Sequence, residues 1–261
     1  MGKTLVIAEK PSVATDLARA LGKLPKKDDF FENEEYIVTS AIGHLVELCL
    51  PGDGDKKKGK WSFANLPIIP STFDLKPIEK SESRLKLIRR LLKRPDVDQV
   101  INACDAGREG ELIFHYIMQI AGNKKPTSRL WLQSMTPEAI RTGFQRLRNE
   151  ADMVPLADAA VCRSESDWLV GINGTRAMTA FNSKGGGFQL TPVGRVQTPT
   201  LAILAEREEK IRAFKPRPYF EVHADFDVTA GSYHGRWFDE KFKKGADEQE
   251  RAERIWDRPR A

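Results

Sequence analysis

The chain has 261 residues, 30% of them charged and 40% hydrophobic, which is too charged for a membrane protein and apolar enough to bury one or two cores. Its 42 Lys and Arg stand against 37 Asp and Glu, a formal net charge of +5, so attraction to a polyanion has to come from clustering and not from the total. Three cysteines, Cys49, Cys104 and Cys162, lie far apart and show no metal-ligand spacing, which argues against a secreted disulfide framework and for a reducing cytoplasm.

The β-branched, apolar residues 4–8 predict a strand, and Val13, Leu17, Ala20 and Leu21 at helical spacing predict a helix over 12–21. No signal peptide or membrane span follows, and Val6 breaks a myristoylation signal. A polar stretch around 26–35 leads to a strand at 36–41, then to a Lys-, Gly- and Asp-rich loop over 51–60. Residues 76–94 carry eight Lys or Arg, while Leu85, Leu87, Ile88, Leu91 and Leu92 suit one buried helical face. The basic face has two readings, a solvated surface or one turned to phosphates. A buried strand is expected at 99–103, a helix at 109–121 closed by Gly122, a strand at 128–132, and a helix capped by Thr136 with Pro137 first. Strands alternating with helices predict an α/β fold, a mainly parallel sheet with helices on both faces. Beyond residue 149 the pattern is mostly helical, over 156–181 and 198–211, and period-two alternation over 219–228 predicts a strand with no evident partner after residue 243.

The densest chemistry is Asp105-Ala106-Gly107-Arg108-Glu109-Gly110-Glu111, between a predicted strand and a helix, where open α/β sheets place their ligand sites. Asp105 and Glu109 are four apart with glycines between, and Glu9 follows the first strand, so three carboxylates are candidates for one Mg²⁺. The alternative is a polar helix start, with Glu109 and Glu111 complementing the helix dipole.

AEKPSVA (8–14) with DAGREGELIF (105–114) resembles the Toprim domain of the type IA DNA topoisomerases, in their topoisomerase III branch. AIGHL (41–45), RSESDWLVGINGTRA (163–177) and LTPVGRVQTPTLAIL (190–204) are similar to further segments of that family in the same order. The resemblance implies a Rossmann-like Toprim domain over 1–150, a helical strand-binding segment over 151–213, and the start of a β-rich arch domain over 214–261. It implies that Glu9 serves as general acid or base at the scissile 3′ oxygen, that Lys10 stabilises the phosphate, and that Glu9, Asp105 and Glu109 hold Mg²⁺. Gly107 stands where the family has a further Asp. The partner implied is single-stranded or underwound duplex DNA, contacted by His44, Trp61, Arg163, Asp167, Trp168, Arg176, Arg195 and Gln197, with arginines on phosphates and tryptophans stacked on bases. Plainer readings stand beside these: Trp168 as core, Asp167 paired with Arg163 on one helical face, His44 as a loop histidine.

The family's nucleophile is a tyrosine close before an arginine, and none of Tyr36, Tyr116, Tyr219 and Tyr233 sits in that context. The 261 residues alone are therefore expected to bind DNA and Mg²⁺ without relaxing supercoils. The rival readings are a non-catalytic single-strand-binding module and a Toprim nuclease or primase; the GRVQTPTLA segment argues against the latter.

Overall fold

The computed structural model describes residues 2–51, 61–245, 247 and 249–260. In chain order the first part forms β1 (Lys3–Ala8), α1 (Pro11–Ala20), β2 (Lys26–Lys27), β3 (Phe30–Glu32), β4 (Tyr36–Ser40), β5 (Val46–Leu48), β6 (Leu75–Pro77), α2 (Glu82–Leu92), β7 (Val97–Ala103), α3 (Arg108–Ala121), β8 (Thr127–Arg129), α4 (Pro137–Phe144), β9 (Arg148–Asn149) and α5 (Glu150–Asn182). Then come α6 (Gln197–Arg212), β10 (His223–Val228) and β11 (Gly231–Arg236). The chain divides into two compact units, 1–199 and 200–261. No helix of the described residues is long and apolar enough to cross a membrane.

The main sheet runs β2-β3-β4-β1-β7-β8-β9. Its four central strands, β4, β1, β7 and β8, are parallel, and antiparallel pairs close both edges. Successive residues of a strand point to opposite faces, and the core divides accordingly. Leu5, Ile7, Ile37 and Val100 pack on one side with α2 and α3, whereas Val6, Val38 and Ile101 pack on the other with α1 and α4. This is the mixed α/β architecture with a parallel centre and helices on both faces.

Local signals act at the helix ends. Pro11 opens α1, the Thr136 side chain accepts from Ala139 N at the start of α4, and Gly122 closes α3 in the left-handed region at φ 64°. Three expectations need correction. The strand foreseen over 128–132 is Thr127–Arg129 and ends where Arg129 turns inward. The stretch around 26–35 contains the β2–β3 hairpin, too short for alternation to register. The strand foreseen over 219–228 is shorter, His223–Val228, and pairs ahead of residue 243 in an antiparallel hairpin with β11, a strand that went unforeseen because Gly231, Ser232 and Gly235 dilute its apolar pattern. The loop foreseen over 51–60 lies, but for Pro51, outside the described residues.

At the amino-terminal edge of the parallel strands one carboxylate binds three cations. Glu32 Oε1 accepts from Lys3 Nζ at 2.7 Å and from an Arg94 terminal nitrogen at 2.6 Å, and Oε2 accepts from Lys27 Nζ at 2.9 Å. Its side chain is only 4% exposed, and the Arg94 guanidinium, then Lys3 and Lys27, hold its carboxyl well below the usual range. A group depressed in the folded state stabilises above its unfolded pKa of about 4.3 and loses that contribution as pH falls toward the folded value. Glu32→Gln is expected to cost about 2 kcal/mol in urea unfolding at pH 7, with the gap to wild type narrowing below about pH 4. A gap that is constant from pH 7 to pH 3 would contradict this role.

Candidate functional site

The carboxyl-terminal edge of the same strands gathers most of the chemistry foreseen in the sequence. β1 and β7 are parallel neighbours with Ala8 opposite Ala103, so the residues that follow each strand emerge side by side. Glu9 leaves β1, and Lys10 stays extended as the residue flanking α1. Asp105 follows Cys104 beyond β7, and its backbone N–H donates to Glu9 Oε2 at 3.2 Å. Lys10 Nζ donates to Asp105 Oδ2 at 3.0 Å and lies 3.4 Å from Glu9 Oε1. Glu9 is 9% exposed, while the Lys10 and Asp105 side chains are open to solvent. The hydrogen bond to Asp105, with the charges of Glu9 and Asp105, holds the Lys10 ammonium above the ordinary lysine range.

A second pair lies on the adjoining loops. Gly43, at φ 87°, donates its N–H to the Glu9 carbonyl at 3.2 Å, which brings the next residue, His44, over the sheet edge. Its Nε2 stands 3.6 Å from Glu109 Oε2 in the first turn of α3.

Beneath these groups is an ion pair the sequence did not reveal. Arg129 is 1% exposed and Glu111 5%. Arg129 Nε donates to Glu111 Oε1, and its terminal nitrogens donate to the carbonyls of Cys104 at 2.7 Å, Leu130 at 2.8 Å and Asp105 at 2.8 Å, with a longer bond to Asn102 at 3.2 Å. Asn102 completes the network: its amide donates to both Glu111 oxygens, and its Oδ1 accepts from Cys104 N at 3.0 Å. One guanidinium thus fixes the backbone that carries Asp105. Gly110 is needed for the same approach, since a Cβ there would lie 2.1 Å from the Asp105 carbonyl oxygen. The available signal was Asn102, a polar residue inside the buried run 100–103 of β7, which asks for a buried partner. Burial pushes the neighbouring Cys104 thiol up, which keeps it protonated.

Among the described residues no three acidic, histidine or cysteine side chains stand together in a geometry that would hold a metal ion. Glu9, Asp105 and Glu109 do not form a ready cluster: the first two share the Lys10 ammonium and the third faces His44. The donor set nevertheless suits Mg²⁺, which takes few carboxylates and completes its shell with water and phosphate oxygens. Two carboxylates already turned toward one cationic nitrogen show that the edge draws positive charge.

Apart from His44, the foreseen strand-binding residues fall into four sets. Trp168 is packed: its indole N–H donates to the Cys49 carbonyl at 3.0 Å and its ring meets Phe73 edge-on at 5.4 Å. Asp167 joins two arginines, Arg195 Nε at 2.6 Å and Arg163 Nε at 3.9 Å. Trp61 carries the Arg176 guanidinium 5.5 Å above its ring and meets Phe188 edge-on. Gln197 is exposed at the start of α6. Of the tyrosines in this unit, Tyr36 and Tyr116 have phenols raised by burial, the opposite of what activates a nucleophile.

Comparison with known proteins gives a consistent result. The family model for the Toprim domain matches residues 4–135, and the model described as DNA topoisomerase matches residues 151–261. DNA topoisomerase 3 of Bacillus subtilis (strain 168) is 45% identical over 245 residues, which is 94% of this chain and 32% of that protein. DNA topoisomerase 3 of Shouchella clausii (strain KSM-K16) is 43% identical over 261 residues, 100% of this chain and 34% of that protein. The chain thus spans about a third of the length of these relatives. Among solved structures, full-length topoisomerase I from Thermotoga maritima superposes with a TM-score of 0.59 at 21% identity, over 94% of this chain and 36% of that one, a likeness of fold.

The clamp generates a direct test. Arg129→Leu leaves Glu111 buried without its counter-ion, and chemical unfolding should show a loss of about 3–5 kcal/mol. Adding Glu111→Leu should restore a large part of it. A loss below about 1 kcal/mol for the single variant would show that the pair does not hold the loop.

Proposed function

This chain belongs to the type IA DNA topoisomerase family, whose Toprim domain it carries over residues 4–135, and from that premise we propose that its sheet edge grips one DNA strand at a scissile phosphodiester. The observation that carries the reading is the Glu9–Lys10–Asp105 cluster at the ends of β1 and β7. Glu9 exchanges a proton with the 3′ oxygen at the break, using the oxygen that does not hold the Asp105 amide. Lys10, a compact ammonium with three rotatable donors, turns from the carboxylates to a phosphate oxygen and offsets its charge. Asp105 and Glu109, with Glu9, would hold Mg²⁺, which neutralises phosphate charge and fixes the strand's geometry. His44, beside Glu109, donates to the same phosphate backbone.

The strand is led away from this edge by Arg163, Arg195, Arg176 and Gln197, and Trp61 offers the stacking face. Asp167 holds Arg163 and Arg195 as one unit. In functional terms residues 1–150 form the Toprim domain, 151–213 the strand-binding segment and 214–261 the start of the arch. A Toprim nuclease or primase would share residues 4–135 but has no claim on the DNA topoisomerase match over 151–261. A module that binds single strands without chemistry is the remaining rival; it predicts the same binding and no dependence on Glu9.

The binding half of the proposal is tested by fluorescence anisotropy with labelled oligonucleotides over a range of salt. Single strands should bind more tightly than duplex, with affinity falling as salt rises, and Arg195→Ala should reduce the slope of log K against log salt by about 1. Equal affinity for duplex and single strand, or an unchanged slope, would count against this path.

A further inference from the structure

The β10–β11 hairpin, with Glu221 just ahead of it, carries an array of four titratable side chains that the topoisomerase reading does not use. His223 Nε2 lies 3.2 Å from Glu221 Oε2, and His234 Nδ1 lies 2.6 Å from Asp225 Oδ1. Between them, His223 Nδ1 and His234 Nε2 face each other at 3.1 Å, with the ring planes inclined by 24°. All four belong to the unit of residues 200–261.

The arrangement follows from strand geometry. In β10–β11 Asp225 is directly opposite His234, and His223 is opposite Arg236, so both imidazoles and Asp225 share one face, with the two rings in diagonal positions. Phe226 and Tyr233 stack on the other face, which fixes which side the histidines occupy. Arg236 is turned toward Glu253 at 3.8 Å.

Proton bookkeeping gives the array its meaning. An ionised carboxylate only accepts, so Glu221 and Asp225 place the ring protons on His223 Nε2 and His234 Nδ1. The two inner nitrogens then present lone pairs to each other, and something positive has to sit between them. A single proton satisfies that need, and so does a metal ion. With metal–nitrogen bonds of about 2.0–2.1 Å, two imidazoles on one ion have their nitrogens about 2.9 Å apart at a right angle and about 3.3 Å apart at the tetrahedral angle. The observed 3.1 Å lies between these values. Histidines that bind metal characteristically give their outer N–H to a carboxylate, which sets the tautomer and raises the basicity of the inner nitrogen; here both do.

We propose that His223 and His234 form a two-histidine chelate for a first-row transition cation such as Zn²⁺, oriented by Glu221 and Asp225 and completed by water. Imidazole nitrogens suit Zn²⁺, Cu²⁺ and Ni²⁺, whereas Mg²⁺ prefers oxygen donors. The site therefore differs in its residues and its chemistry from the carboxylate edge of the Toprim sheet. Bound there, the cation ties β10 to β11.

Titrating the full chain with Zn²⁺ by calorimetry, in the presence of about a hundredfold excess of Mg²⁺, tests the assignment. One equivalent should bind despite the Mg²⁺, and His223→Gln and His234→Gln should each abolish it. Asp225→Asn keeps both rings and should weaken binding by about 10–100-fold. Circular dichroism of each variant checks that the fold is retained. Survival of the Zn²⁺ equivalent in both histidine variants, its displacement by Mg²⁺, or its absence from the wild-type chain would overturn the proposal.

Discussion

A guanidinium removed from water must find its acceptors inside the protein, and Arg129 finds them in Glu111 and the carbonyls around the carboxyl end of β7. Removing either charge from water costs several kcal/mol, offset only when geometry is good and the remaining donors are satisfied. That requirement dictates the path of the chain through Cys104 and Asp105. Once the path is fixed, the Asp105 amide reaches Glu9 and the Asp105 carboxylate reaches Lys10. Gly110 serves the same end, because no side chain fits between α3 and the Asp105 carbonyl.

The two edges of the parallel sheet use charge in opposite ways. At the amino-terminal edge one buried carboxylate is matched by three cations, so nothing is left for a ligand and the result is structural. At the carboxyl-terminal edge the ratio reverses: Glu9 and Asp105 share one half-exposed ammonium, and Glu109 faces His44. A local surplus of carboxylate over cation, open to solvent, suits an edge that takes up a divalent ion together with a phosphate. The parallel strands make this possible, because adjacent carboxyl ends open on the same side of the sheet.

Much of the fold was legible because its strands and helices are long enough to show their period. Val97–Ala103 and Arg108–Ala121 differ from the expected 99–103 and 109–121 by one or two residues. What escaped is short or non-local. β2 and β9 have two residues each, too few for alternation, and the β5–β6 pair joins segments far apart in the sequence. The grouping of Glu9, Lys10 and Asp105 was foreseen through motif and resemblance. Arg129 was read as one residue of a strand because nothing local distinguishes a buried guanidinium from an edge charge; apart from the adjacent Leu130 carbonyl, its hydrogen-bond partners lie 18 to 27 residues away. Trp168 left two readings open, and its contacts, the Cys49 carbonyl 119 residues away and the Phe73 ring, are both too distant in sequence to be foreseen.

The central claim is that the ends of β1 and β7 form a divalent-cation and phosphate site. Paramagnetic broadening by Mn²⁺, used in place of Mg²⁺, reads this most directly from backbone amide resonances. With substoichiometric Mn²⁺, the Toprim unit should show its strongest broadening at the amides of Glu9, Asp105 and Gly107, and excess Mg²⁺ should reverse it. Broadening of that unit centred elsewhere, or none at these amides, would contradict the account.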